Sequence, residues 1–329
     1  MGNNTDARVN ALARNSASVI DRAESVRTAA GHIPRRPIVN SAPHPTFLYI
    51  GTPKAGSTWV YDALCEHPDV FVPGKDLQFF DYNYDRGWEW YLRQFGHSGS
   101  ASAVGEVSHD YYLNKEAAQR IRTDLPDVRL ICCLREPGEF AVSLLRWLHS
   151  HTRRFGSTFE EIAEHPYFTR VLAYRNNLEA YFNRFPRDQI LVLYYEQLKS
   201  DPLSFLRELY QFIGVDASYQ PAVLTRRSNP TRPPRNRSFL IFVCEVAQLI
   251  RKMGGDKLVD AIRWRPTFDR FLYRIFYAAD RGEDPAATAE LDRIAERVRQ
   301  EAAGDFDALA RLIGKPLPAQ WLRAAHRRS

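Results

Sequence analysis

A short apolar run that breaks into a glycine-bracketed loop, and then into a helix, narrows the fold of this chain more than any other feature. Thr46-Phe-Leu-Tyr-Ile50 is rich in aromatic and branched side chains and reads as a buried strand. Gly51-Thr-Pro-Lys-Ala-Gly-Ser57 follows as a tight loop, and Thr58 to Glu66 has helical spacing through Trp59, Leu64 and Cys65. Gly51 and Gly56 let the backbone curl so that successive N–H groups, those of Ala55 and Gly56 included, point at one oxygen-rich group. The helix start adds its positive end, Ser57 and Thr58 add hydroxyls, and Lys54 adds a point charge. Strand, loop and helix together describe a phosphate cradle.

The rest of the chain repeats the alternation. Val70 to Val72, Ala103 to Val107, Val128 to Leu134 and Gln189 to Tyr195 read as strands, and a helix is predicted from Pro137 to His149. The expected fold class is α/β: a P-loop-type, mainly parallel sheet with helices on both faces and extra helices at the C-terminus. In such sheets ligands sit beyond the C-terminal ends of the strands. Residues 1 to 44 are polar and Ala/Arg-rich and are expected to be a mobile arm, with residues 45–329 as a single domain. Within it, residues 225–238 (TRRSNPTRPPRNRS) form an Arg/Pro-rich loop, and residues 239–329 are read as helical. Pro285 to Ala303 reads as a polar helix, and Phe306 to Trp321 as a last helix with a packed tail.

Charge and cysteine usage exclude little on their own. Lys and Arg number 45 against 39 Asp and Glu, a net charge of +6, which fits an anionic ligand, a nucleic acid or a membrane surface alike. The absence of a recognition module argues against a nucleic-acid partner. The cysteines, Cys65, Cys132, Cys133 and Cys244, form no CxxC, so buried reduced thiols and a reducing cytoplasm are expected. The first 30 residues lack an apolar core and no run is long enough to span a bilayer, so a cytoplasmic, bacterial protein is expected. The basic, aromatic stretch from Arg263 to Tyr277 leaves peripheral membrane contact open, with core packing as the plainer account.

Two features separate the loop from that of a nucleotide hydrolase. Ser57 stands where GxxxxGK[ST] needs lysine, the lysine having moved inside the loop to position 54. A magnesium-dependent enzyme wants an Asp at the end of a neighbouring strand, whereas RLICCL here runs into Arg135. An arginine there repels a metal and attracts phosphate. Both point to a metal-free nucleotide carrying an extra phosphate.

TPKAGSTW resembles the 5′-phosphosulfate loop of sulfotransferases that use 3′-phosphoadenosine 5′-phosphosulfate (PAPS). LREPGEFAVS resembles their second signature, a strand, Arg-x-Pro, and a serine eight residues after the arginine. The similarity runs from about Phe47 to Pro202, closest to bacterial and heparan-type carbohydrate sulfotransferases. The resemblance implies that Arg135 and Ser143 bind the 3′-phosphate and that Trp59 and Tyr195 contact adenine. PAPS would be the donor, adenosine 3′,5′-bisphosphate (PAP) the product, and no metal would be required. Arg235, in the Arg/Pro-rich loop that relatives close over the nucleotide, is the choice for a second phosphate contact.

Sulfuryl transfer needs positioning, charge stabilisation at the leaving oxygen, and a base for the acceptor's proton. Lys54 is the natural cation. Asp76, in KDLQFF, stands where similar glycan sulfotransferases place a catalytic Glu, and His109, in GEVSHD, matches the base of the cytosolic branch. Glu106 and Asp110 are reserves. Val107 replaces a frequent lysine of the family, which Lys75 is placed to supply. The expected acceptor is a hydroxyl or amine of a glycan, a glycolipid or a small molecule. The rival readings are a P-loop kinase or NTPase, a natural-product sulfotransferase, and a non-catalytic nucleotide binder.

Overall fold

The computed structural model describes residues 44–225, 237–252 and 284–325. At its centre lies a wholly parallel five-stranded sheet in the order β2-β3-β1-β4-β5. The strands are β1 (Phe47–Gly51), β2 (Val70–Phe71), β3 (Ala103–Val107), β4 (Arg129–Leu134) and β5 (Ile190–Tyr194). Each falls within a residue or so of the run that predicted it. Tyr195 is the exception in kind, because it opens the Tyr195–Ser200 helix instead of ending a strand.

Both faces of the sheet are covered, which is why its central strands are apolar at nearly every position. Successive side chains alternate between faces. Leu48, Ile50, Leu130 and Cys132 pack under the Lys115–Asp124, Pro137–His151, Tyr174–Phe182 and Pro285–Ala303 helices. Phe47, Tyr49, Ile131 and Cys133 pack under the Ser57–Glu66 and Pro202–Ile213 helices. β1 has β3 on one side and β4 on the other: the chain leaving β1 goes to β2 on the first side, and the chain leaving β3 goes to β4 on the second. A crevice opens at such a switch point, and the loop after β1 sits in it.

Two expectations change. The predicted last helix is two, Phe306–Ile313 and Ala319–Ala325, because Gly314 turns left-handed at φ 78° and Pro316 and Pro318 follow. Trp321 is nevertheless packed as expected, 1% exposed. Cys132 and Cys133 are buried, but Cys65 is exposed, lying on the outer side of its helix. The Cys244 side chain, the arm over residues 1–43, Arg235 and the Arg263–Tyr277 stretch lie outside the described residues. Among the described residues no helix is long and apolar enough to cross a membrane.

Candidate active site

The loop after β1 is anchored from below. The backbone N–H and the hydroxyl of Thr52 both donate to the carbonyl of Cys133 on β4, at 3.0 and 2.9 Å. Lys54 is left-handed at φ 57°, a conformation few non-glycine residues adopt, and such strain tends to persist where the surroundings enforce it. Gly56, at φ 85°, caps the Ser57–Glu66 helix without any side-chain hydrogen bond to its first turn. A Cβ on Gly56 would meet Leu198 at 2.8 Å and the Tyr195 ring at 3.3 Å, so only glycine lets the loop lie this close. Ala55 is buried and Ser57 is 6% exposed beside it.

Arg135, at the end of β4, reaches the loop. Its Nη1 donates to the carbonyl of Lys54 at 3.2 Å and its Nη2 to Glu139 at 3.1 Å. Its Nε is buried without a hydrogen-bond partner among the described residues. Ser143 lies two turns into the Pro137–His151 helix, 8% exposed.

Lys75 joins the cationic group. It bridges to Val107 in the parallel register, so it stands directly beside the position where the second family lysine is missing. Its Nζ donates to the Thr58 hydroxyl at 2.9 Å. Burial, with the charges of Lys75 and Arg135 added, lowers Lys54 to about 8. Cations pressed together this way, with a buried unsatisfied N–H among them, fit a polyanionic ligand.

Asp76 and His109 meet. His109 Nδ1 lies 2.7 Å from Asp76 Oδ1, and its Nε2 lies 3.6 Å from Asp110 Oδ1. Burial alone would lower His109, but Asp110 and the bond to Asp76 outweigh it and the net shift is upward. Asp76 is held left-handed at φ 60° by its N–H donating to the Val107 carbonyl at 2.7 Å. Glu106 is spoken for: Tyr91, Ser108 and Tyr111 all donate hydroxyls to it at 2.5–2.6 Å, deep in the core. Asp110 accepts from Gln78 Nε2 at 2.9 Å and flanks His109.

The Trp59 side chain packs inward. It is 9% exposed and edge-on to Phe205, in the core layer beneath its helix. Two further features escaped the sequence reading. Trp147 is 38% exposed, with Lys54 Nζ 5.8 Å from its ring centre. Its spacing of four from Ser143 was the available signal, since that interval places both on one helix face. Glu136 caps the Pro137–His151 helix through Gly138 and Glu139, and Arg299 grips both its carboxylate oxygens at 3.2 and 3.3 Å.

Comparison with known proteins agrees with this geometry. A family model described as a sulfotransferase domain matches residues 44–231. The human bifunctional heparan sulfate N-deacetylase/N-sulfotransferase 3 is 29% identical over 199 residues, covering 53% of this chain and 23% of that protein. Mouse heparan sulfate glucosamine 3-O-sulfotransferase 6 is 30% identical over 179 residues, covering 52% of each. The chain thus matches 23% and 52% of the length of these two relatives. The crystal structure of a sulfotransferase from Alicyclobacillus acidocaldarius shares the fold, with a TM-score of 0.56 at 21% identity, over 85% of this chain and 100% of that one. With more than half its length matched by the family and the loop, arginine and sheet order in place, the chain belongs to the sulfotransferase family.

Proposed function

We propose that this sulfotransferase moves a sulfuryl group from PAPS to a hydroxyl or amine of a carbohydrate or glycolipid. The observation that carries the reading is the Arg135 guanidinium bonded to the Lys54 carbonyl. That contact joins a cation suited to a 3′-phosphate to the loop suited to a 5′-phosphosulfate, so one nucleotide can engage both. Both curated relatives named above act on heparan sulfate by name, which supports a sugar acceptor here.

In this reading the acceptor oxygen or nitrogen bonds to sulfur as the sulfur–oxygen bond to the 5′-phosphate breaks. Lys54 and the N–H groups of the loop offset the charge that builds on the departing phosphate oxygen. Lys75 adds a second cation at Thr58. The acceptor's proton passes to Asp76. His109, held at 2.7 Å by Asp76 and flanked by Asp110, fixes the carboxylate's orientation. Ser143 stands near enough in sequence to Arg135 to share the 3′-phosphate, and Tyr195 borders the adenosine side. Adenosine 3′,5′-bisphosphate leaves.

Calorimetry tests the donor: PAP with EDTA should bind, and ATP with Mg²⁺ should bind far more weakly. The reverse preference would favour a kinase or NTPase. Transfer of labelled sulfate from PAPS to neutral and anionic oligosaccharides tests the acceptor class.

A further inference from the structure

The Arg135 guanidinium is met on three sides by the protein itself. The Tyr195 ring covers one of its faces. Its Nη1 donates to the Lys54 carbonyl, which fixes one edge. The remaining edge carries Nε and Nη2, the two prongs that together can grip two oxygens of one phosphate. Nε is buried without a hydrogen-bond partner among the described residues, while Nη2 donates to Glu139 Oε2. A single carboxylate oxygen thus occupies half of a phosphate-gripping fork. Glu139 has a second cation at hand. Lys199, from the Tyr195–Ser200 helix, donates its ammonium to both Glu139 oxygens, at 3.4 and 3.2 Å. Both side chains are partly exposed, so Glu139 can turn toward Lys199 without disturbing the core. Its backbone stays fixed meanwhile, because its N–H donates to Glu136 Oε2 at 2.7 Å in the helix cap. Burial alone would raise the Glu139 carboxyl, but Arg135 and Lys199 outweigh it and hold it below the usual carboxylate range.

We infer that Glu139 is a displaceable counter-ion, pairing with Arg135 in the empty site and passing to Lys199 when a 3′-phosphate takes the fork. The inference rests on the proposed sulfotransferase reading and adds a positioning residue that sets how tightly donor and product are held. A phosphate fills both prongs where the carboxylate fills one, so it wins the arginine. Lys199 then keeps the displaced carboxylate from being left without a partner beside the new anion. As PAP departs, the returning carboxylate takes back Nη2, so the site is not held open by an uncompensated guanidinium. A nucleotide that lacks the 3′-phosphate has nothing with which to evict Glu139. The residue therefore bears on PAP and leaves adenosine 5′-phosphate (AMP) almost untouched.

The test uses the full chain, with PAP and AMP as probes in calorimetry and stopped-flow. Glu139→Gln should tighten PAP about 3- to 10-fold, through slower dissociation, and change AMP by less than about twofold. The empty variant should melt below the native chain, because Arg135 is left without its anion, and the gap should close at saturating PAP. Lys199→Met should weaken PAP about 2- to 5-fold in the native chain, but less than about twofold in the Glu139→Gln background. The inference is overturned if Glu139→Gln leaves PAP affinity level or lowers it, or if AMP tightens as much as PAP, which would mark a general field. Equal losses from Lys199→Met in both backgrounds also overturn it, since Lys199 would then draw the nucleotide directly. Should Glu139→Gln fail to fold, Lys199→Met alone decides, and unchanged PAP affinity there ends the handover. Failure of the native chain to bind PAP overturns the sulfotransferase reading itself, and this inference with it.

Discussion

The guanidinium carbon of Arg135 lies 4.5 Å from the centre of the Tyr195 ring, so the first residue after β4 stacks on the first residue after β5. The same ring borders Gly56. Tyr195 thereby holds the arginine's plane and closes the loop's flank. Arg135→Lys keeps the charge but loses the planar fork, and should weaken PAP binding about 10- to 100-fold by calorimetry. Tyr195→Leu, which removes the stacking partner and leaves the arginine in place, should cost less, about 3- to 30-fold.

Lys54 must be charged to meet an anion, yet burial and its cationic neighbours hold it near 8. A bound bisphosphate pushes it back toward the ordinary lysine value. PAP binding should therefore take up protons above about pH 8, seen as a buffer-dependent calorimetric enthalpy, and affinity should fall as pH rises through that value. The profile of kcat/KM should show an alkaline limb in the same place, and Lys54→Arg should move the limb upward.

The same lysine weighs on the fold. Its folded value is below its unfolded one, so its charged form is disfavoured by folding at every pH below about 8. Lys54→Met should abolish turnover yet stabilise the ligand-free protein at neutral pH by about 1–3 kcal/mol. The readout is a melting temperature raised by roughly 2–8 °C, with the gain vanishing in the alkaline range.

Asp76 and His109 should separate by kinetics. Asp76→Asn should lower kcat about 10²- to 10⁴-fold with PAP affinity kept, as expected for loss of a base. His109→Gln retains a hydrogen-bond donor and should cost less, about 10-fold. His109 is raised above its ordinary 6.5, so its contribution to stability is complete below that pH and lost as pH climbs through the raised value. The gap in melting temperature between the native chain and His109→Gln should close accordingly.

Much of this architecture is legible in the linear text because it is local. β1, its loop and the following helix are contiguous, and the runs that became β4 and β5 are too apolar to be anything but buried. What stayed hidden depends on contacts far apart in sequence. Nothing near Lys75 announces that it will bridge to Val107 and reach Thr58. Nor does anything near Trp59 announce that its ring will lie edge-on to Phe205, far along the chain. The aromatic run from Phe79 to Tyr91 also divides by helical and loop geometry: Phe79, Phe80 and Tyr91 are at most 1% exposed, while Tyr82 is 51% exposed. Cys65 escaped because one residue's shift around a helix exchanges inside for outside.

The grip of Arg299 on Glu136 has a practical bearing. The family match ends at residue 231, yet the carboxylate that starts the helix after Arg135 is fastened by a side chain from the Pro285–Ala303 helix. A Cβ on Gly138 would strike that guanidinium at 2.6 Å, so the glycine leaves room for the clasp. Trimming the chain to its recognisable core would unfasten the segment after Arg135 from behind, and the shortened protein would be soft beside the loop that follows β1.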